Sequence, residues 1–271
     1  MRKIGEGDKS EVFALDDGRI LKLFKQKWIA LASIEADMAG KLERAGVEAP
    51  RVTEVLQRDG RPGIVFGNLP VGRTLGADVR ARPWRIAASA RDLAERHAAV
   101  HMCMSMDLPS QRERLNDEIV RSDGISERAR RMALAGLEAL PDGAHVCHND
   151  IHMLNVIVHE RGSTIIDWVL ATRGNPLADV ANALLQLRFG EQPRGPVARA
   201  ALEGGRALFQ RVYRARYLGL RPEARDELAR WELPVAAGLA GRREGRMRSQ
   251  LLQRVAELTD RSLKGSAGGE E

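Results

Sequence analysis

The sequence predicts an α+β fold in two lobes: a small β-rich N-terminal lobe with one helix, and a larger, mostly helical C-terminal lobe. Three observations predict it. Within the first 67 residues, two apolar runs each fold about an Asp-Gly pair on either side of one stretch with helical spacing. Beyond "NLPVGRTLG", with its Gly and Pro punctuation, the chain turns to long Ala- and Arg-rich segments of helical periodicity. One short pair of strand-like runs interrupts them around residues 155–167. The expected division is residues 1–67, residues 68–263 and a disordered tail over 264–271, whose "KGSAGGEE" has no large apolar anchor.

"GEGDKSEVF" leads into the first predicted strand. In "SEVFALDDGRILKLFK" the turn is Asp16-Asp17-Gly18, because Asp-Gly accepts the positive φ angles of a tight hairpin. "RVTEVLQRDGRPGIVF" repeats the pattern around Asp59-Gly60. Between them, Ile34, Met38 and Leu42 fall on one helical face, and Gly46 is a natural stop. In the second lobe, Pro83 suits a first helical turn, and Ile86, Ala90, Leu93, His97 and Val100 share a stripe. Ser110 with Glu113 reads as a capping box, and "SERARRMALAGLEAL" as a further helix. "NVIVH" and "STIIDW" flank Arg161-Gly162 as two short strands, and the rest is mostly helix.

Composition removes several function classes. The 271 residues are 44% hydrophobic, enough for a sizeable core. No apolar run is long enough to cross a bilayer and the N-terminus has no apolar leader, so no membrane partner and a cytoplasmic location are expected. Cys103 and Cys147 fit neither a CxxC motif nor a disulfide framework. The net charge of +6 comes from arginines scattered among acids, and aromatics are only 4%, so nucleic acid is not an expected partner. The excess is uneven: residues 151–271 carry 19 Lys+Arg against 14 Asp+Glu, whereas residues 1–150 carry 24 against 23.

The chemistry concentrates in "VCHNDIHMLN", residues 146–155. Two readings compete. His148, Asp150 and His152, spaced i, i+2, i+4, could hold a transition metal for hydrolysis. Alternatively, His148-x-Asp150-x-x-x-x-Asn155, followed by Asp167 at the end of an apolar strand, supplies the parts of a phosphoryl-transfer site: Asp150 to orient or deprotonate a hydroxyl, Asn155 and Asp167 as oxygen ligands for Mg²⁺. Other parts would then precede it. Gly5 and Gly7 let backbone N–H groups approach phosphate oxygens. Lys22, inside the apolar strand "ILKLF", needs a partner, and Glu35 on the next helix could aim it at the phosphates. His97 and His101, at i, i+4, lack an HExxH glutamate because residue 98 is Ala, and read as core or surface histidines.

With these residues placed, "CHNDIHMLNVIVHERGSTIIDWVLATRGNPLADVA" resembles the aminoglycoside phosphotransferase/choline kinase-like family over nearly the whole chain. The resemblance implies a bilobal protein-kinase-like fold hinged near residues 67–70, with ATP and Mg²⁺ as cofactors and a small-molecule hydroxyl as acceptor. It makes Asp150 the catalytic residue, Asn155 and Asp167 the metal ligands, and Lys22 and Glu35 the phosphate-facing pair. His148 and Asp179 would support the loop. Phe66 and Asn68, in "FGNL", would offer backbone groups to adenine, and Ser10 stands near the third glycine of a full Gly loop. Asn149 stands where the family usually has Gly, and Met153-Leu154 where Pro-Gly is commoner, which leaves a nucleotide-binding pseudokinase as the alternative. Eleven residues separate Asp167 from Asp179, too few for the activation segment that docks a protein substrate. Aminoglycosides are polycations, so the net positive second half disfavours them unless Glu203, Asp226, Glu227 and Glu232 line an acidic cleft.

Overall fold

Asp59 and Gly60 both take positive φ (51° and 70°) and join β4 (Val52–Arg58) to β5 (Arg61–Phe66). Gly18, at φ 84°, does the same between β2 (Ser10–Ala14) and β3 (Ile20–Phe24). The computed structural model describes residues 1–67, 69–190, 193–222 and 227–267. Asn68, Asp226 and residues 268–271, on which expectations fell, lie outside the described residues.

The two hairpins and one further strand, β1 (Arg2–Glu6), form one antiparallel sheet in the order β1-β2-β3-β5-β4. Its edge strand β1 corrects the sequence reading, because Gly5 lies within a strand rather than ahead of the first one. Every residue of β1 is exposed or only half-buried, so it has no apolar alternation by which to announce itself. α1 (Ala30–Arg44) ends at Gly46, whose φ of 76° suits the left-handed C-terminal position. Its buried face runs through Ala32, Glu35, Met38 and Leu42, while Ile34 is 46% exposed. The expected stripe is therefore turned by about one residue, because the face includes a glutamate held by an ion pair. Ala32 joins the small core of Ile20, Phe24, Ile64 and Phe66 under the sheet, and Met38 and Leu42 join the large core of the helical region. This one helix is thus shared between the two cores.

The helical region opens with β6 (Arg73–Thr74) and α2 (Leu75–Ala81), capped by the Thr74 hydroxyl. Pro83 begins a separate short 3-10 turn, and α3 (Ile86–Val100) starts after it, so the proline sits one element earlier than expected. Ser110 caps α4 (Gln111–Arg121) by accepting the Glu113 N–H at 3.3 Å, and Ser126 caps α5 (Glu127–Ala139). β8 (Val156–His159) and β9 (Gly162–Ile165) pair as predicted and continue to β6. A second, unpredicted pair, β7 (His145–Cys147) with β10 (Thr172–Gly174), brackets them; strands of three residues are too short to show a period. α6 (Pro176–Arg188) is buried along most of its length and packs against α7 (Pro196–Leu220) and α8 (Glu232–Arg242), while α9 (Gly245–Ala267) packs on α8 and α5. α9 continues into the segment from 264 that was expected to be a disordered tail. No helix among the described residues is long and apolar enough to cross a membrane.

Candidate active site

Strand β3 places Lys22 between Val12 of β2 and Ile64 of β5, with apolar neighbours on every side. A lysine there requires an anion, and α1 supplies it: Lys22 Nζ donates to Glu35 Oε1 at 2.9 Å and Oε2 at 2.7 Å. Burial raises the Glu35 carboxyl above its ordinary value, against the opposing pull of Lys22. The same ammonium lies 3.8 Å from Oδ1 of Asp167, two residues past the end of the strand Gly162–Ile165. Sheet, helix and C-terminal loop therefore converge on one cation.

The loop after β7 is fixed from below by α6. Asp179, in the first turn of that helix and fully buried, accepts the backbone N–H of His148 on Oδ2 and that of Asn149 on Oδ1 at 2.8 Å. Asn149 has φ 61°, a left-handed conformation that asparagine tolerates better than most residues. This accounts for asparagine where glycine is usual, and its side chain adds bonds that glycine lacks. Its Nδ2 donates to Leu170 O at 3.0 Å and Thr172 Oγ1 at 2.8 Å, and its Oδ1 accepts from Gln111 Nε2 at 3.0 Å. Met153 and Leu154 sit in a turn closed by Asn155 N–H to His152 O at 3.0 Å. Neither needs positive φ, so Pro-Gly is dispensable there.

His148 is held by backbone at both ring nitrogens. Nε2 donates to Ile166 O at 3.0 Å, and Nδ1 accepts the Asp150 N–H at 3.2 Å. Burial lowers its pKa, consistent with a neutral ring. Both nitrogens being engaged, the metal-hydrolase set of His148, Asp150 and His152 does not form. His152 Nδ1 also accepts a backbone N–H, from Leu154 at 3.2 Å, and its Nε2 lies 3.8 Å from Asp150 Oδ2.

Asp150 receives the Asn155 Nδ2 on its backbone oxygen at 3.0 Å and on Oδ2 at 3.4 Å. Arg243, just past α8, donates Nη2 to Asp150 Oδ1 and to Gln186 Oε1, and Arg242 Nη2 donates to Asn149 O at 3.0 Å. Burial pushes the Asp150 carboxyl up, but Arg243, His152 and Arg242 together outweigh it and hold the group below its ordinary value. It is ionised at neutral pH.

Asn155 and Asp167 sit at the same end of the β8/β9 hairpin, tied by Ile166 N–H to Asn155 O at 2.9 Å. Nδ2 is committed to Asp150, and no donor among the described residues meets the Asn155 Oδ1. Asp167 has φ 65° and a side chain 40% exposed, an unusual backbone state for a non-glycine residue. Two hard oxygen donors so placed can hold Mg²⁺. A second constellation, His97, His101 and Asp179, has its ligand-type atoms within 4.8 Å of one another. It is closed by internal contacts instead: Tyr213 and Tyr217 hydroxyls bond the two Nδ1 atoms at 2.6 and 2.7 Å, His101 Nε2 bonds Asp179 Oδ2 at 3.3 Å, and His97 Nε2 lies 3.1 Å from the same oxygen.

Gly5 pairs with Val12, Gly7 N–H closes the β1–β2 turn onto Ser10 O at 2.9 Å, and Ser10 is buried opposite Phe24. Phe66 is buried at the end of β5. Among the described residues, Glu203, Glu227 and Glu232 do not form an acidic cleft. Glu203 and Glu232 line a cavity of about 1010 Å³ together with five arginines, Arg188 and Arg254 among them, and Arg254 Nε binds Glu232 at 2.8 Å. Glu227 lines a different cavity beside Tyr217 and Arg221. Sequence reasoning missed Gln111, Gln186, Arg242 and Arg243, which reach the loop from distant helices. The Arg242-Arg243 pair at the end of an apolar helix was the one available signal, and it reads as an ordinary basic C-terminus.

Residues 1–220 match the sequence profile of the phosphotransferase enzyme family. Among solved structures, a thermostable mutant of aminoglycoside phosphotransferase APH(4)-Ia in ternary complex with AMP-PNP and hygromycin B has a TM-score of 0.64 at 16% identity, covering 95% of this chain and 92% of that one. ADP-bound aminoglycoside phosphotransferase APH(2'')-Ib gives 0.55 at 16% identity, covering 95% and 91%. A choline/ethanolamine kinase family protein from Mesorhizobium loti gives 0.50 at 17% identity, covering 86% and 91%. At these identities the likeness establishes the kinase-like α+β fold. No curated protein sequence matches the chain.

Proposed function

Because the chain belongs to the phosphotransferase enzyme family, we propose that it is a small-molecule kinase that moves the γ-phosphoryl group of ATP to a hydroxyl of its acceptor, with Mg²⁺ as cofactor. One observation carries this reading: the Lys22 ammonium lies 2.7 Å from Glu35 and 3.8 Å from Asp167, bringing the phosphate-facing cation beside the metal-type carboxylate. Glu35 holds Lys22 extended, so its charge is available to the α and β phosphates. Asn155 Oδ1 and the Asp167 carboxylate are the donors that would hold Mg²⁺, which when bound neutralises charge on the polyphosphate. The β1–β2 turn with Gly5, Gly7 and Ser10 would cover the phosphates, and backbone near Phe66 would meet adenine. Asn68 would belong to the same hinge.

Asp150 accepts the hydrogen bond of the acceptor hydroxyl and aligns its oxygen for attack on the γ-phosphorus. As that P–O bond forms, the bond to the β–γ bridging oxygen breaks, ADP leaves, and the hydroxyl proton passes to the Asp150 carboxylate. An ionised Asp150 suits the task, and His148 and Asp179 position it through the loop backbone. The fit of Asn149 to its left-handed position supports an intact loop over the pseudokinase alternative. The nucleotide-bound neighbours support a nucleotide donor, and use of ATP fits a cytoplasmic location. The test is acceptor-dependent ADP release from Mg²⁺-ATP across sugars, aminoglycosides, amino alcohols and hydroxy acids, with ³¹P NMR of the product. A phosphomonoester is expected; ATP binding without ADP release from any acceptor would favour the pseudokinase.

A further inference from the structure

The carboxylate that must meet the acceptor is already engaged by an arginine. Arg243 Nη2 divides itself between Asp150 Oδ1 and Gln186 Oε1, while its Nε is buried and has no hydrogen-bond partner among the described residues. Arg242, its neighbour, touches the same loop through Asn149 O at 3.0 Å and likewise has a buried Nε without a partner. His152 stands 3.8 Å from the other Asp150 oxygen. A hydroxyl approaching Asp150 Oδ1 must therefore displace a guanidinium whose planar fork is only partly used.

Accepting the kinase reading above, on which this rests, we propose that the acceptor carries an oxyanion, carboxylate or phosphate, close to the reacting hydroxyl, and that Arg243 is its counter-ion and the residue that selects it. Charge-assisted, bidentate pairing of oxyanions is what a guanidinium does best. When the acceptor enters, Arg243 exchanges the Asp150 oxygen for the acceptor's anion. That frees the carboxylate for the hydroxyl and gives the buried fork a full complement of acceptors. A neutral acceptor would leave a partly buried guanidinium underpaired, and a cationic one would add repulsion. One independent observation agrees: the chain from residue 151 onward carries five more basic than acidic side chains, 19 against 14.

The test compares matched hydroxy compounds differing in charge: glycerol, glycerate and glycerol 3-phosphate; glucose, gluconate, glucose 6-phosphate and glucosamine; and kanamycin. Each is assayed for ADP release with Mg²⁺-ATP, and for binding by calorimetry to the protein saturated with Mg²⁺-AMP-PNP. The carboxylate and phosphate arms tell the two anion sources apart. An anionic member is expected to exceed its neutral partner in kcat/KM or affinity by about tenfold or more, with the amine weakest. Arg243→Gln should raise the KM for that anion by roughly tenfold to a hundredfold, remove most of its advantage over the neutral partner, and leave the KM for ATP within about twofold. Arg243→Lys, which keeps the charge and loses the fork, should recover part of the preference. Preference for the neutral or cationic members, unchanged discrimination in Arg243→Gln, or no binding of any anionic member would overturn the proposal. Turnover of kanamycin or glucosamine alone would do so while leaving the kinase reading intact. Absence of ADP release from every compound would count against the kinase reading, and the calorimetric arm would still decide the charge preference.

Discussion

The Asp179 carboxylate accepts the Asn149 backbone N–H at 2.8 Å, and through this bond a buried helix start fixes the one left-handed residue of the loop from His148 to Asn155. Asp179 also takes the His148 N–H and faces both His97 and His101, so four groups depend on one side chain. Asp179→Ala is expected to destabilise the fold by about 3–5 kcal/mol, the scale of leaving buried partners of a charge unpaired. Urea denaturation of the variant checks it, and a loss under 1 kcal/mol (~) would show that the network contributes little.

Asn149 separates backbone from side-chain effects. Asn149→Gly keeps the φ of 61° accessible and loses the bonds to Leu170, Thr172 and Gln111, whereas Asn149→Ala loses the same bonds and strains the backbone as well. The glycine variant should be less stable than wild type by about 1–2 kcal/mol, and the alanine variant lower again by about 1 kcal/mol. Equal stability of the two variants in chemical denaturation would remove the left-handed requirement.

Acid should weaken the fold through the buried histidines. Burial and the neighbouring His97 push His101 from 6.5 down to about 3, although Asp179 opposes this; Tyr217 and Arg221 are the other groups that face it. Between about pH 3 and pH 6.5 the unfolded chain binds a proton that the folded chain refuses. Stability is therefore fully present above about 6.5 and is lost as pH falls through the window, with a limiting slope of about 1.4 kcal/mol per pH unit for this residue. Asp179 adds to the loss only at the acid end. Burial pushes its carboxyl up, but His97 and His101 outweigh that and hold it well below the usual range. Unfolding midpoints between about pH 7 and pH 5 should fall for wild type and fall less steeply for His101→Gln.

Lys22 should affect nucleotide more than fold. In Lys22→Met, Glu35 loses its partner at 2.7 Å and, already raised by burial, takes up a proton instead of remaining a buried charge. Affinity for Mg²⁺-ATP should drop by roughly tenfold to a hundredfold, measured by calorimetry, with the protein still folded by circular dichroism. Unaltered ATP affinity would take Lys22 out of the phosphate site.

The parts of the fold that the sequence disclosed are those with a local signal. Asp16-Asp17-Gly18 and Asp59-Gly60 set two hairpins because turn chemistry is a property of adjacent residues. Ser110 and Ser126 mark helix starts for the same reason. The candidate site was legible where spacing along one loop carries it, as from His148 to Asn155. Strand β1 was hidden because it buries no side chain, and β7 and β10 because three residues have no period. Ile34 misled because the face of α1 is set by the Lys22–Glu35 pair across 13 positions. Arg243 was hidden by distance: 93 positions separate it from Asp150, and no pattern within one helix reports such a contact.

The role of Asp150 in phosphoryl transfer is tested most directly by the turnover of Asp150→Asn with Mg²⁺-ATP and an accepted hydroxyl compound. The substitution keeps size and one oxygen and removes the charge that binds the hydroxyl proton. We expect kcat to fall by about a hundredfold to ten-thousandfold while the KM for ATP stays within about twofold. Wild-type turnover in this variant would contradict the assignment of Asp150.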